Sequence, residues 1–562
     1  MRGAKGSWLA VLMVLALGCR DEAPATQADG TTGVSESSSG STGAESTGSL
    51  DTTTGLDTTA GSDEDSSSSG DGVECEPMPP GTSDAAWFMV ATFDAVLRID
   101  SHGDLPLEPV EVATPPAEQL FVGDFHHDSA IVLRSWGVGD DSLWFGSLED
   151  PGTFSLHKLD IAPAPDAESR HAAFSPDGSQ VLFDAAATVG GSRALYLTSV
   201  DGSPPSLFFE PSDPSATLEL DFEFTPDGGS VVFVADLDGT GQLRRYQLPS
   251  TAAPGTVPRD LGPRTPDEFH RGYAADGSYM VMVRDAGLHR IDLTGVGPTE
   301  PQLIFGPPSE GEDLDFSHFA GSRDWAIVEV DDGRETTPHA INLSEAEPNS
   351  VVLPTTRGVE RVSPGESYYA YLDEDFEPLI ADMRQWPPIL VDLSLPSLPA
   401  GHRRRSAMFT DDDTLYVVDH DQLYISHWLH RLTLEPGGRS HSEFVLQWEG
   451  GRGDLPHTLV DERILLFSDV SQESVMDIEC PTAPVSFADG LDTGIFFGVR
   501  HEPPSAKVLA FQIVLDRQQE LDSYHLYEFD TRRDPLGTVH ELVELDSWPV
   551  WWAQLPATAP GR

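Results

Sequence analysis

The feature that most constrains this chain is a unit of nearly fifty residues built around a Pro-Asp-Gly turn. It reads apolar anchor, turn, apolar strand, second turn, second apolar strand. The clearest copies are Phe174-Ser-Pro-Asp-Gly178 followed by Val181 to Phe183, and Phe224-Thr-Pro-Asp-Gly228 followed by Val231 to Phe233. Asp177 and Asp227 are 50 positions apart, and Asp276 of Tyr273-Ala-Ala-Asp-Gly277 follows 49 later. Phe125 stands 49 residues before Phe174. Weaker copies begin at Phe319, Val362, Phe409, Val460 and Phe487, the last after a short interval of 27 residues. Proline presets φ and glycine accepts a positive φ, so the turn reverses the chain and its apolar flanks pair as antiparallel strands. A period near fifty fits a four-stranded sheet. One such sheet cannot bury its own two faces, and copies stacked radially supply each with a neighbour.

On these residues the chain resembles the WD40-like repeats of TolB-type propellers, the PD40 repeats. The resemblance covers roughly residues 118–530 and implies an all-β propeller of about eight four-stranded blades, with seven as the alternative. Tyr273 and Val362 replace the anchor phenylalanine, and Gly365 arrives without the aspartate of the motif. Such rings usually close by sharing one blade between the two chain ends. Trp87 to Thr92 and Ala95 to Ile99 read as strands without an anchor, and are expected to complete the blade begun near Phe487. Cys75 would then approach Cys480.

The resemblance also makes the strand ending at each anchor the innermost. His171, His270 and His457 each stand three residues before an anchor. Arg170, Asp221, Arg271 and Arg404 share these strands, as do His318 and Arg361. They are the candidates for a charged, histidine-bearing channel mouth. Histidines beside carboxylates can hold a transition metal, and PD40-like propellers include polysaccharide lyases that do so. The plainer reading is a polar, water-filled channel. His420, His427 and His430 form a second group, read as surface or blade-packing residues. Asp236-Leu-Asp238-Gly-Thr-Gly241 has some calcium-loop character, but the full twelve-residue spacing and its closing glutamate are missing, so a hairpin turn is the competing reading. No cofactor is otherwise expected. Arg403-Arg404-Arg405 is the one basic run of the body.

The first residues read as an address. Arg2 and Lys5 precede an apolar run from Trp8 to Leu17, too short to span a bilayer but suited to a signal peptide. It ends in Ala16-Leu17-Gly18-Cys19, which resembles the lipobox of bacterial lipoproteins, with Ala16 where leucine is usual. The resemblance implies cleavage before Cys19 and a diacylglycerol on its thiol. Residues 1–18 are thus expected to be a signal peptide. Asp21 stands one place beyond the position of the enteric inner-membrane signal, so the outer membrane is the better expectation. Residues 19–74 are rich in Ser, Thr, Gly and Asp and too poor in apolar side chains to offset the entropy of ordering them, which implies a disordered tether. Residues 75–555 are the expected propeller.

Charge bounds the partners. The chain carries 33 Lys and Arg against 93 Asp and Glu, a net charge of −60, of which −51 falls on residues 75–562. Such a body repels nucleic acid. No nucleophile elbow, His-Glu-x-x-His or P-loop is present. These readings point to a monomeric, lipid-anchored, non-catalytic scaffold for a protein or glycan. The alternatives are a metal-dependent polysaccharide lyase or hydrolase and a calcium-stabilised surface protein. With Cys19 lipidated in an oxidising compartment, a Cys75–Cys480 disulfide is expected; non-reducing peptide mapping should recover the two as one cross-linked species, and recovery of both as free thiols would exclude it.

Overall fold

The computed structural model describes the strands and many of the connections between Ala86 and Pro556; residues 1–85, 557–562 and a set of intervening loops lie outside the described residues. The signal-peptide and tether expectations, and Cys19, Cys75 and Cys480, therefore fall outside them. The described residues contain no helix, and none long and apolar enough to cross a membrane.

Among the described residues, forty strands form ten four-stranded antiparallel sheets. We number these blades in chain order. Blade 1 holds Ala86–Thr92, Val96–Ser101 and Val110–Ala113, completed by Pro549–Pro556 from the far end of the chain. The remaining blades are continuous in sequence, from blade 2 at Gln119–Lys158 to blade 10 at Gly494–Leu545. The chain ends pair directly, Phe88 opposite Gln554 and Val90 opposite Trp552.

Why these sheets form a ring is visible in single strands. Ala86–Thr92 is almost wholly apolar because both of its faces are covered. Phe88 and Val90 pack with Leu509, Phe511 and Leu526 of blade 10. Met89 and Ala91 point the other way, against Phe121, Ile131 and Leu133 of blade 2. The same alternation runs round the molecule. Val231 and Phe233 of blade 4 face blade 3, while Val232 faces blade 5. Tyr369 and Tyr371 of blade 7 face blade 6, while Tyr368 and Ala370 face blade 8. Further cores join blades 2 and 3, 5 and 6, 8 and 9, and 9 and 10. Ten sheets and ten shared cores thus close a circle. Each large apolar side chain so buried contributes about 1.5–3 kcal/mol.

Eight blades was therefore an undercount. The eight anchors from Phe125 to Val460 each fall on the first strand of one blade, blades 2 to 9. Phe487 marks no first strand: blade 9 ends at Val485–Ser486, and blade 10 begins at Gly494–His501. Blade 10 leaves its inner strand at His501-Glu-Pro-Pro, without an anchor-and-turn pattern, and blade 1 is assembled from both chain ends, so anchor spacing marked neither. The closing strand is Pro549–Pro556 and not one near Phe487, so ring closure does not by itself bring Cys75 toward Cys480.

The turn that marks the repeat works as its composition implies. Gly178, Gly228 and Gly277 have φ of 67°, 67° and 68°. Each donates its N–H to the carbonyl three residues back at 2.8 Å. Asp177 accepts from the Ser175 and Ser179 hydroxyls at 2.7 and 2.8 Å, which holds its carboxyl down at about 2. In blade 7 the equivalent stretch is Ser363-Pro-Gly-Glu-Ser367, with Glu366 at φ 55° in the glycine's place and Gly365 in the aspartate's. The missing carboxylate arrives from the next blade. Asp412 of blade 8 accepts from the Ser363 hydroxyl and the Gly365 N–H, each at 2.7 Å, and from the Ser367 hydroxyl at 2.8 Å. A Cβ on Gly365 would stand 2.2 Å from that carboxylate, so the glycine is what admits it.

Asp412→Ala should remove three inter-blade hydrogen bonds and cost about 1–3 kcal/mol, read as a lowered urea midpoint, while Asp413→Ala should cost less. Burial alone would raise the Asp412 carboxyl; the two serine hydroxyls and the Gly365 N–H outweigh it and hold it below its ordinary value. Its contribution is thus complete above the unfolded value of about 3.9 and is lost as pH falls through the lower folded value. The wild-type and D412A stability curves should converge in that acid window.

Candidate ligand-binding channel

The first strands of neighbouring blades approach one another, among them Pro549–Pro556 with Gln119–His127, Gln119–His127 with Ala172–Phe174, and His402–Phe409 with Leu455–Val460. They are the inner strands, and the channel they bound is the natural place for a ligand.

These strands share an irregularity that period counting did not foresee. Eight of the ten carry a register shift against the second strand of their blade. The inserted residue is Val550 in blade 1, Gly123 in blade 2, His270 in blade 5, Ser317 in blade 6, Arg405 in blade 8 and His457 in blade 9. In blade 4 the shift spans Glu219 to Asp221. A bulge bends the strand and takes a residue out of the ladder. His270 and His457 thus occupy equivalent backbone positions on blades 5 and 9, with Arg271 beside the first.

Blade 3 holds the same stretch another way. Its paired inner strand is only Ala172–Phe174. Arg170 and His171 just before it donate their backbone N–H groups to Asp184 Oδ1 at 3.0 and 2.7 Å. Asp184 is fully buried on the second strand, and its other oxygen is ion-paired with Arg193. The His171 ring stands edge-on against Phe222 of blade 4, 4.7 Å between centroids. His171 therefore packs between blades. His318, on blade 6, is likewise drawn inward: burial lowers its pKa, opposed by Glu366 of blade 7.

Arg404 is not at an open mouth. It is 4% exposed and ion-paired with Glu377 of blade 7. Its Nε lies 3.3 Å from Asp419 Oδ1, and Asp419 Oδ2 lies 3.2 Å from His430 Nε2. His420, His427 and His430 are all buried, at 4%, 0% and 5%, which resolves the second histidine group as blade packing and not surface. His427 stacks on Trp448 at 5.1 Å and 10°. Sequence spacing could not reveal this network, because its members come from separate strands and from the blade 7 hairpin.

The Asp236–Gly241 loop is a self-bonded turn. Asp236 accepts from the N–H of Thr240 at 3.1 Å and of Gly241 at 2.6 Å, and Asp238 from the Thr240 hydroxyl at 2.8 Å. The Thr240 hydroxyl is the first cause, and Asp236 the second, of the lowered Asp238 pKa. Among the described residues no three of His, Cys, Asp and Glu are grouped to hold a metal ion.

No family model and no curated protein sequence matches this chain. Solved structures share parts of it. One is from a study of two prolyl endopeptidases, at 13% identity and TM-score 0.31, covering 64% of this chain and 55% of that one. Another is described as a TolB from Agrobacterium tumefaciens, at 16% identity and TM-score 0.24, covering 54% of this chain and 89% of that one. A third is an oligogalacturonate lyase in complex with manganese, at 13% identity and TM-score 0.30, covering 64% and 95%. The chain spans about half the length of the prolyl endopeptidase it matches. Likeness at this level says nothing about activity.

Asp184→Ala should leave Arg193 without its buried partner and two backbone N–H groups without an acceptor, costing about 3–5 kcal/mol. Urea denaturation should show the loss, and hydrogen exchange at the amides of residues 170 and 171 should quicken.

Proposed function

We propose that this protein is a lipid-anchored binding scaffold of a bacterial cell envelope, holding a protein or glycan at the channel of a closed propeller. The observation that carries this is the ring itself. Ten shared cores spend apolar surface on closure, and the inner strands carry charged residues besides, Arg361 and Arg403 among them, that are exposed. Strands held by a shared core on either side form a pre-organised surface, on which binding loses little ordering entropy.

The anchor half of the proposal rests on the stretch before Cys19 and on the Ser/Thr/Gly/Asp composition of residues 19–74. A single acyl chain binds a bilayer only weakly, whereas the two chains of a diacylglycerol hold it. A flexible segment of this length spans about 40 Å, enough to keep a strongly acidic body clear of anionic headgroups.

Cells fed radiolabelled palmitate should label the wild-type protein, and Cys19→Ala should abolish the label and move the protein out of the membrane fraction. A photo-crosslinking residue at position 403 on an inner strand should yield an adduct in intact envelopes. The same residue at position 352, on the outermost strand of blade 6, should yield none. No adduct from any inner-strand position would remove the scaffold reading.

A further inference from the structure

The outer half of blade 10 carries a serine, a histidine and a glutamate bonded in series. Ser523 and His525 stand two residues apart on Leu521–Asp530, the third strand of the blade, so their side chains share one face. Ser523 Oγ lies 2.6 Å from His525 Nε2. His525 Nδ1 lies 2.8 Å from Oε1 of Glu541, on the outermost strand His540–Leu545. The order of the two bonds sets their polarity. A carboxylate only accepts, so Nδ1 carries the ring proton and Nε2 accepts the serine O–H. In this arrangement an imidazole takes a hydroxyl proton as a general base, and the carboxylate holds its tautomer and steadies the imidazolium that forms. The separations along the chain, 2 and 16 residues, match no linear motif.

Glu541 reaches this face through a bulge. Tyr524, His525 and Leu526 pair in turn with Leu545, Glu544 and Val543, and an unbroken ladder would set Leu542 opposite Tyr527. The register shifts there, and Glu541 takes that place. Leu542 joins the core shared with blade 1 instead. Without the shift Glu541 would stand on the other face of the sheet, away from His525.

The group is held firmly and remains reachable. Tyr524 and Leu526, which flank His525 in the chain, are buried in the core with blade 1. The Tyr527 ring stacks beside His525, 6.1 Å between centroids and 26° between planes, and its hydroxyl donates to Gln512 at 2.8 Å. The His525 side chain is 16% exposed and that of Glu541 49%. Ser523 is half-buried.

We propose that Ser523 is a nucleophile toward uncharged carboxylic esters, with His525 as its general base and Glu541 as the positioning residue. Ser523 Oγ bonds to the ester carbonyl carbon while its proton passes to His525 Nε2. The ester C–O bond then breaks, and the departing alcohol takes that proton. Water repeats both steps and releases the carboxylic acid. The acidic body and the exposed Glu541 and Glu544 disfavour an anionic ester. This activity goes beyond the scaffold reading and uses none of the channel residues.

The test treats the full-length protein in detergent with a fluorophosphonate probe and with p-nitrophenyl acetate. Peptide mapping of the labelled wild type should place the adduct on Ser523, a result that needs no variant to fold, and Ser523→Ala should lose it. His525→Gln should lower kcat by at least about a hundredfold. Glu541→Gln should lower kcat by at least about tenfold at unchanged KM, and Glu541→Asp should recover part of the loss. Ser155→Ala, at a serine 3.0 Å from His157 Nε2, should change nothing. The ester 5-acetoxy-2-nitrobenzoate, which adds a carboxylate to the same ring, should be accelerated less over its own uncatalysed rate. An unlabelled wild type, an adduct on another serine, a His525→Gln protein as reactive as the wild type, or greater acceleration of the anionic ester would overturn the proposal. None of these outcomes bears on the position-403 crosslink, so the binding and the catalytic readings stand or fall separately.

Discussion

Everything in this molecule depends on both faces of every sheet being dry. A four-stranded sheet of this length has two apolar faces, and the described residues hold no helix to cover either. The alternation in Ala86–Thr92 states the solution in one strand: Phe88 and Val90 turn to blade 10, Met89 and Ala91 to blade 2. Each blade is therefore incomplete without two neighbours, and a row of such blades is stable only when its ends meet. The pairing of Ala86–Thr92 with Pro549–Pro556 makes them meet by backbone hydrogen bonds as well as by apolar contact. Closure is a property of the whole chain, and no shorter stretch contains it.

Once the ring is closed, conformational detail concentrates at two places. One is the turn after each inner strand, where a carboxylate gathers hydroxyl and N–H donors. Blade 7 shows that the carboxylate need not be local, since Asp412 reaches across from blade 8 into the space a side chain at Gly365 would fill. The physical requirement is an acceptor at that point, and the neighbour satisfies it. The other place is the inner strand itself. Most blades bulge there, and blade 3, which does not, uses the buried Asp184 to bind the two N–H groups left outside the ladder. The two devices answer the same problem, which is how to satisfy the backbone where a strand leaves its partner near the axis.

Part of this was legible beforehand. The fold class and four-stranded unit followed from turn chemistry and period, because Pro-Asp-Gly between apolar runs has few other uses. Eight inner strands were marked by their anchors. The other two were not: blade 10 leaves its inner strand at His501-Glu-Pro-Pro, and blade 1 is assembled from both chain ends. Phe487 misled, because an apolar residue before Ala-Asp-Gly looks like an anchor whether or not a second strand follows at the right distance. The histidine candidates show the same limit. Equal offsets from an anchor did place His270 and His457 at equivalent bulges. They could not show that His171 would turn against Phe222, or that Arg404 would be enclosed between Glu377 and Asp419.

By itself, then, the sequence determined what each fifty-residue segment must be: a sheet with a fixed turn, an apolar interior on both faces and an inner strand of known position. It also determined the acidic field and the Ser/Thr/Gly/Asp composition of residues 19–74. Only the tertiary structure decided how many segments share the circle, which strand closes it, and which charged side chains remain near the axis. The reason is that local turn and pairing energies are fixed by residues close in the chain. The number of blades, the partner of Gly365 and the burial of Arg404 are set by neighbours that come together only when the two ends meet.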